Sequence, residues 1–163
     1  MAAQVDKAKF LELLGALGNP DNSTRQKAET WYQQAKQAEP DSLLIGLLAV
    51  LAATEAQESI RRHAGVLLRQ LVTSGHEKDF VYARCAQAHQ QQVAAELLRA
   101  FEAEPSPKIQ TNIGDVISKL TEYVCNKEDP RGSLAPGSAS GWPALLPHLF
   151  HLADSAAAGA PPE

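Results

Sequence analysis

Three stretches of this chain follow one plan: "PDNSTRQKAETWYQQ" (20–34), "QESIRRHAGVLLRQL" (57–71) and "SPKIQTNIGDVISKL" (106–120). In each, a small residue (Ala28, Ala64, Gly114) stands three positions after a polar one, and large apolar groups come next. A chain that writes nearly the same amphipathic helix three times is constrained in what it can become. A lone copy cannot bury its apolar stripe, and neighbouring copies must share one core.

Apolar residues at i, i+3, i+4 and i+7 define a helix almost everywhere along the chain. Phe10, Leu13, Leu14 and Leu17 make the first stripe, which "LGNPDN" (17–22) breaks. Pro20 is the stop, and Asp21, Asn22 or Ser23 the next cap. Ser23 and Gln26 also have capping-box spacing. The second helix buries Ala28, Trp31, Tyr32 and Ala35. Pro40 opens a third helix over about 41–53, apolar on most sides, as expected of a helix packed between neighbours. A fourth, about 56–74, buries Ile60, Ala64, Leu67, Leu68 and Leu71, and a polar connection spans about 75–86. The fifth (about 87–103) carries Val93, Leu97, Leu98 and Phe101. The sixth (about 107–125), with Ser106 as cap and Pro107 at its first position, carries Ile109, Ile113, Ile117, Leu120 and Val124. "EDPRGSLAPGSASG" (128–141) reads as a flexible loop, and "WPALLPHLFHLAD" (142–154) begins a seventh helix.

No stretch alternates as a strand would. The predicted class is all-α, with helix pairs recurring every 36 to 50 residues. That period is the signature of HEAT or armadillo-type stacking, a right-handed α-solenoid. The predicted layout is three repeats within 1–127 (about 4–37, 39–75 and 86–127), a loop at 128–141, and a fourth, truncated repeat beginning within 142–163 as an unpaired helix. An irregular six-helix bundle is the competing arrangement.

Composition narrows the function. The formal net charge of −4 argues against a general nucleic-acid or anionic-membrane surface. Cys85 and Cys125 stand 40 positions apart with no C-x-x-C, so neither a zinc site nor a disulfide framework is expected. The N-terminus has no secretory-signal pattern. The longest apolar run, 43–53, has 11 residues, too few to span a bilayer. These features predict a soluble intracellular chain.

The residues that carry a family resemblance lie within this pattern. "FLELLGALGNPDNSTRQKAETWYQQ" (10–34) resembles the opening helix pair of the importin-β (karyopherin-β) nuclear transport receptors. "IRRHAGVLLRQLVTS" (60–74) is similar to the second helix of their second HEAT repeat, where R-x-x-A-x-x-L-[LR]-[KR] recurs. "WPALLPHLF" (142–150) resembles the Trp-Pro start of a later repeat. The resemblance implies a solenoid that binds the GTP form of Ran near its N-terminus, protein cargo with a nuclear localisation signal on its inner surface, and Phe-Gly nucleoporin repeats outside. It implies a place in cytoplasm, nucleus and nuclear pore. This chain departs from the family in its length, in the 75–86 connection and in the 132–141 loop.

The second helix of each pair is expected to line the concave face. On a 100° wheel the side opposite the core carries Gln26, Thr30 and Gln33 on the second helix. On the fourth it carries Arg62, Val66, Arg69 and Thr73, and on the sixth Thr111, Asp115, Ser118 and Glu122. A solvated face explains such a strip as well; the resemblance favours a Ran-binding one. No phosphate loop, dinucleotide fingerprint or H-E-x-x-H is present. His148, His151 and Asp154 have the spacing of metal ligands on one helix face, but two polar residues on a half-exposed helix explain them better. The expectation is a binding protein, with no catalytic residues, metal or cofactor, and with neither nucleic acid nor membrane as a partner.

Overall fold

The computed structural model describes residues 6–73, 80–125 and 142–158. Among them the chain is all helical and has no strand. The helices are α1 (Lys7–Leu17), α2 (Asn22–Ala38), α3 (Pro40–Leu51), α4 (Glu58–Val72), α5 (Gln87–Ala103), α6 (Pro107–Val124) and α7 (Leu145–Ala158). A 3-10 turn, Tyr82–Arg84, precedes α5.

Local chemistry places the ends. Asp6 caps α1 by accepting from the Ala8 and Lys9 N–H groups, at 3.1 and 3.4 Å. The α1 run stops at Gly18, whose N–H donates to the Leu14 carbonyl. Asp21 caps α2, accepting from the Thr24 N–H at 2.8 Å and the Thr24 hydroxyl at 2.7 Å. The Ser23–Gln26 box is therefore not the cap, because the helix starts at Asn22 with Asp21 as its cap and Ser23 already lies inside the first turn. Pro40 and Pro107 sit in the first turns of α3 and α6, where a missing N–H costs nothing. Ser106 precedes α6 but its hydroxyl makes no cap bond; it donates instead to Glu58 Oε2 at 3.2 Å.

Consecutive helices pair as α1–α2, α3–α4 and α5–α6, and the pairs stack. The first helices line up as α1–α3–α5, while α4 lies along α6. This is the HEAT-type arrangement of stacked helix pairs. At its centre is α3, which touches α1, α2, α4, α5 and the 3-10 turn. Leu43, Leu44, Leu47, Leu48, Val50 and Leu51 are all essentially inaccessible, which explains why its sequence is apolar around most of its circumference. Each such side chain contributes about 1.5–3 kcal/mol of burial. Close approach needs Gly46: a Cβ there would overlap the Phe10 ring of α1.

Three further sequence expectations change. The core face of α4 is Arg61, Ala64, Gly65, Leu68, Leu71 and Val72, while Ile60 and Leu67 are only partly buried. The wheel turns because α4 is covered on two sides, by α3 and by α6, whose Asn112 meets Gly65. The connection before α5 is also not simply polar. Val81 and Tyr82 are fully buried and Cys85 nearly so, and Val81 N–H donates to the Leu71 carbonyl. Finally, α7 begins at Leu145 rather than Trp142, and it is not wholly unpaired: it docks on α5, with Trp142 and Leu145 buried. The proposed loop at 128–141 lies outside the described residues.

Candidate partner-binding face

The face in question is built where α4 runs beside α6. Two locks set the register. Arg61, on the buried flank of α4, donates from Nε to the Leu51 carbonyl at 2.9 Å and from both terminal nitrogens to the Glu104 carboxylate that precedes α6. Both side chains are nearly inaccessible. Burial on its own raises the Glu104 pKa. The hydrogen bonds from Arg61 and the Ser106 N–H, together with the guanidinium charge, outweigh it and hold the carboxyl below its ordinary value. In the second lock Asn112 of α6 fits over Gly65 of α4, where a Cβ would overlap its amide.

With the register set, Arg62, Val66 and Arg69 of α4 face outward and are exposed. Opposite them on α6, Thr111, Asp115, Ser118 and Glu122 are exposed too. Arg69 Nη1 stands 3.9 Å from Asp115 Oδ2, an open pair with both side chains about half exposed. Lys119 Nζ donates to Glu122 at 2.7 and 3.0 Å. Thr73, just past the end of α4, is half-buried rather than exposed, and its hydroxyl donates to the Arg69 carbonyl at 2.7 Å. Thr30 and Thr111 do the same, on the carbonyls of Gln26 and Pro107. Those three hydroxyls have spent their donors on their own helices.

On α2, Gln26, Thr30 and Gln33 are exposed and border a shallow concavity with Glu29, Gln34 and Gln37. However, α2 is held by α1 and α3 and does not run along α4 as α4 runs along α6. The polar strip is thus continuous over α4 and α6, while the α2 residues form a separate patch. Helical periodicity alone joins them, because it treats all three second helices as equally stacked.

Arg61, Gly65, Asn112 and Glu104 were missed. A signal existed for Arg61. It precedes Ala64 by three positions, on the apolar side of the wheel, and a charge there demands a buried partner. Nothing local marks Glu104, 43 positions away. A second such node joins α3 to α5: Asp41 Oδ1 accepts from the Ala86 N–H at 2.9 Å and lies 2.8 Å from His89 Nδ1. Beside it, burial pushes the Cys85 thiol up to about 12, so it is no nucleophile at neutral pH.

No group of three His, Cys, Asp or Glu placed to hold a metal occurs among the described residues. His151 Nε2 lies 3.4 Å from Glu102 of α5, and His148 faces a groove of about 470 Å³ between α5, α6 and α7. That groove is lined by Leu98, Phe101, Ile117, Leu145, Leu149 and Leu152. Among the described residues no helix is long and apolar enough to cross a membrane.

The fold and this face define a helical-repeat protein with a polar, outward-facing surface on its second helices. No family model matches the chain. It is 32% identical over 144 residues to a probable importin-5 homolog of Dictyostelium discoideum, a match over 88% of this chain. The chain spans 12% of that relative's length. The similarity supports the importin-β family as the one this chain resembles.

Proposed function

We propose that this chain is the N-terminal HEAT segment of an importin-β-type nuclear transport receptor, binding Ran·GTP through the α4–α6 face and taking part in import of protein cargo. The subtype we favour is that of the importin beta-3 and importin-4 receptors. What carries the reading is the similarity to an importin-5 homolog over nearly the whole chain, on a stack of helix pairs. The work done is reversible binding, with no bond made or broken. Ran·GTP and cargo release one another if they bind the solenoid with negative coupling, which linkage makes reciprocal. Phe-Gly nucleoporin repeats are the expected contacts at the pore, and the receptor moves between cytoplasm and nucleus.

The test grafts residues 1–125 onto the remaining repeats of a related receptor and measures capture of Ran. The chimera is expected to prefer Ran loaded with a non-hydrolysable GTP analogue over Ran·GDP, because the γ-phosphate orders the switch loops. Arg62→Glu with Arg69→Glu is expected to abolish capture at unchanged helicity. An absent nucleotide preference, or indifference to both arginines, would leave a HEAT scaffold whose partner is unrelated to transport.

A further inference from the structure

The α4–α6 face carries more detail than a polar strip, and its detail concerns the partner. Glu58 stands four positions before Arg62, the spacing at which a helix pairs opposite charges. Here that pair does not form. The Glu58 carboxylate is drawn across to α6, accepting from the Ser106 hydroxyl at 3.2 Å and standing 3.9 Å from Lys108 Nζ. Arg62 is left exposed and, among the described residues, without an ion pair. One turn further on is Val66, 39% accessible, and among the described residues the other exposed large hydrophobics, Leu146, Leu149 and Phe150, all lie on α7. Arg69, the next turn's cation, is only loosely held by Asp115 at 3.9 Å.

An unpaired guanidinium beside an exposed apolar side chain has the chemistry of a binding hot spot: a charge needing a planar anion, and apolar area needing cover. We infer that Arg62 and Val66 together read a protein segment that presents a carboxylate and an apolar side chain about 6 Å apart, one helical turn. This rests on the reading of the α4–α6 face as a partner surface and adds the partner's chemistry to it. A protein carboxylate suits the site better than a nucleic-acid backbone. The chain as a whole carries a net −4, and the other cations of the face already stand beside carboxylates, Arg69 by Asp115 and Lys119 by Glu122, which leaves too little free positive charge to hold a polyanion. A single carboxylate needs only the Arg62 guanidinium.

The experiment titrates ¹⁵N-labelled residues 1–163 with three helical peptides: one with Glu and Leu four positions apart, one with Lys in place of the Glu, and one with Ser in place of the Leu. The Glu/Leu peptide is expected to shift the amides of Arg62, Val66 and Arg69. The Lys and Ser peptides are expected to bind about fivefold more weakly or worse, in line with the loss of one interface contact. Arg62→Glu is expected to reverse the charge preference, so that the Lys peptide becomes the tighter binder. Four results overturn the inference: no shifts at millimolar peptide, equal binding of the Lys peptide, shifts centred on α7, or a short single-stranded DNA moving the same amides more effectively than the peptide. The Ran chimera fails or succeeds separately. Peptide recognition without a nucleotide preference would keep the partner chemistry and remove Ran.

Discussion

Arg61 and Arg62 are adjacent and have opposite fates. Arg61 is enclosed with Glu104 and the Leu51 carbonyl, and Arg62 stands in solvent. Removing one partner of a buried pair leaves the other charge uncompensated, so Arg61→Ala is expected to cost about 3–5 kcal/mol in urea unfolding. The same change at Arg62 is expected to stay within about 0.5 kcal/mol, as for ordinary surface sites. A similar cost at both would mean that α4 is rotated from the position described. The pair also sets a pH dependence. The Glu104 pKa is lowered in the fold, so its contribution is present above the ordinary carboxylate value of 4.5 and is lost as pH falls through the lower folded value. Glu104→Gln is expected to weaken the protein at neutral pH and to flatten its loss of stability in acid. Parallel urea midpoints for the two proteins from pH 7 down to pH 3 would rule that out.

At the scale of elements, α7 and the 3-10 turn show where the chain's pattern was ambiguous. Both apolar faces of α7 are visible in "WPALLPHLF", but the pattern does not say which residues find cover. The docking on α5 chose Trp142 and Leu145, leaving Leu146 and Phe150 about two-thirds exposed. Exchanging Leu146, Leu149 and Phe150 for polar residues is expected to raise solubility at unchanged helicity, which sedimentation and circular dichroism would check. Trp142→Ala is expected to detach α7 locally, since such a truncation costs about 3–5 kcal/mol and α7 has few other holds. A helix that stays docked without Trp142 would contradict this. The 3-10 turn was hidden for another reason: "FVYARCA" has no helical or strand period long enough to read. Arg84 ties the turn to α2, a helix far away in sequence, by donating to the Lys36 carbonyl at 2.8 Å and to Gln37 Oε1 at 2.9 Å.

Across the whole molecule the two tryptophans sit at opposite ends of the stack, Trp31 on α2 and Trp142 before α7. Because α3 touches every described helix but α6 and α7 substantially, the first three pairs are expected to melt together. In single-tryptophan variants, Trp31 fluorescence is expected to follow the far-ultraviolet transition and Trp142 to change at lower denaturant. Coincident transitions would show α7 to be part of the same cooperative unit. The helices, the first-turn prolines Pro40 and Pro107, the spacing of the pairs and most of the core were legible in the sequence, because each depends on contacts within a few residues or on a period of 3.6. Except at Thr73, the exposure of the strip on α4 and α6 was legible for the same reason: exposure opposite a core face follows from the wheel. What only the tertiary structure decided was which helices stack along their length, and so which outward residues share a surface. The split between the α2 patch and the α4–α6 face, the Arg61–Glu104 lock and the release of Arg62 from Glu58 all arise from pairings across repeats. No local pattern encodes such pairings, since the two partners lie some forty or more positions apart and meet only when the pairs pack.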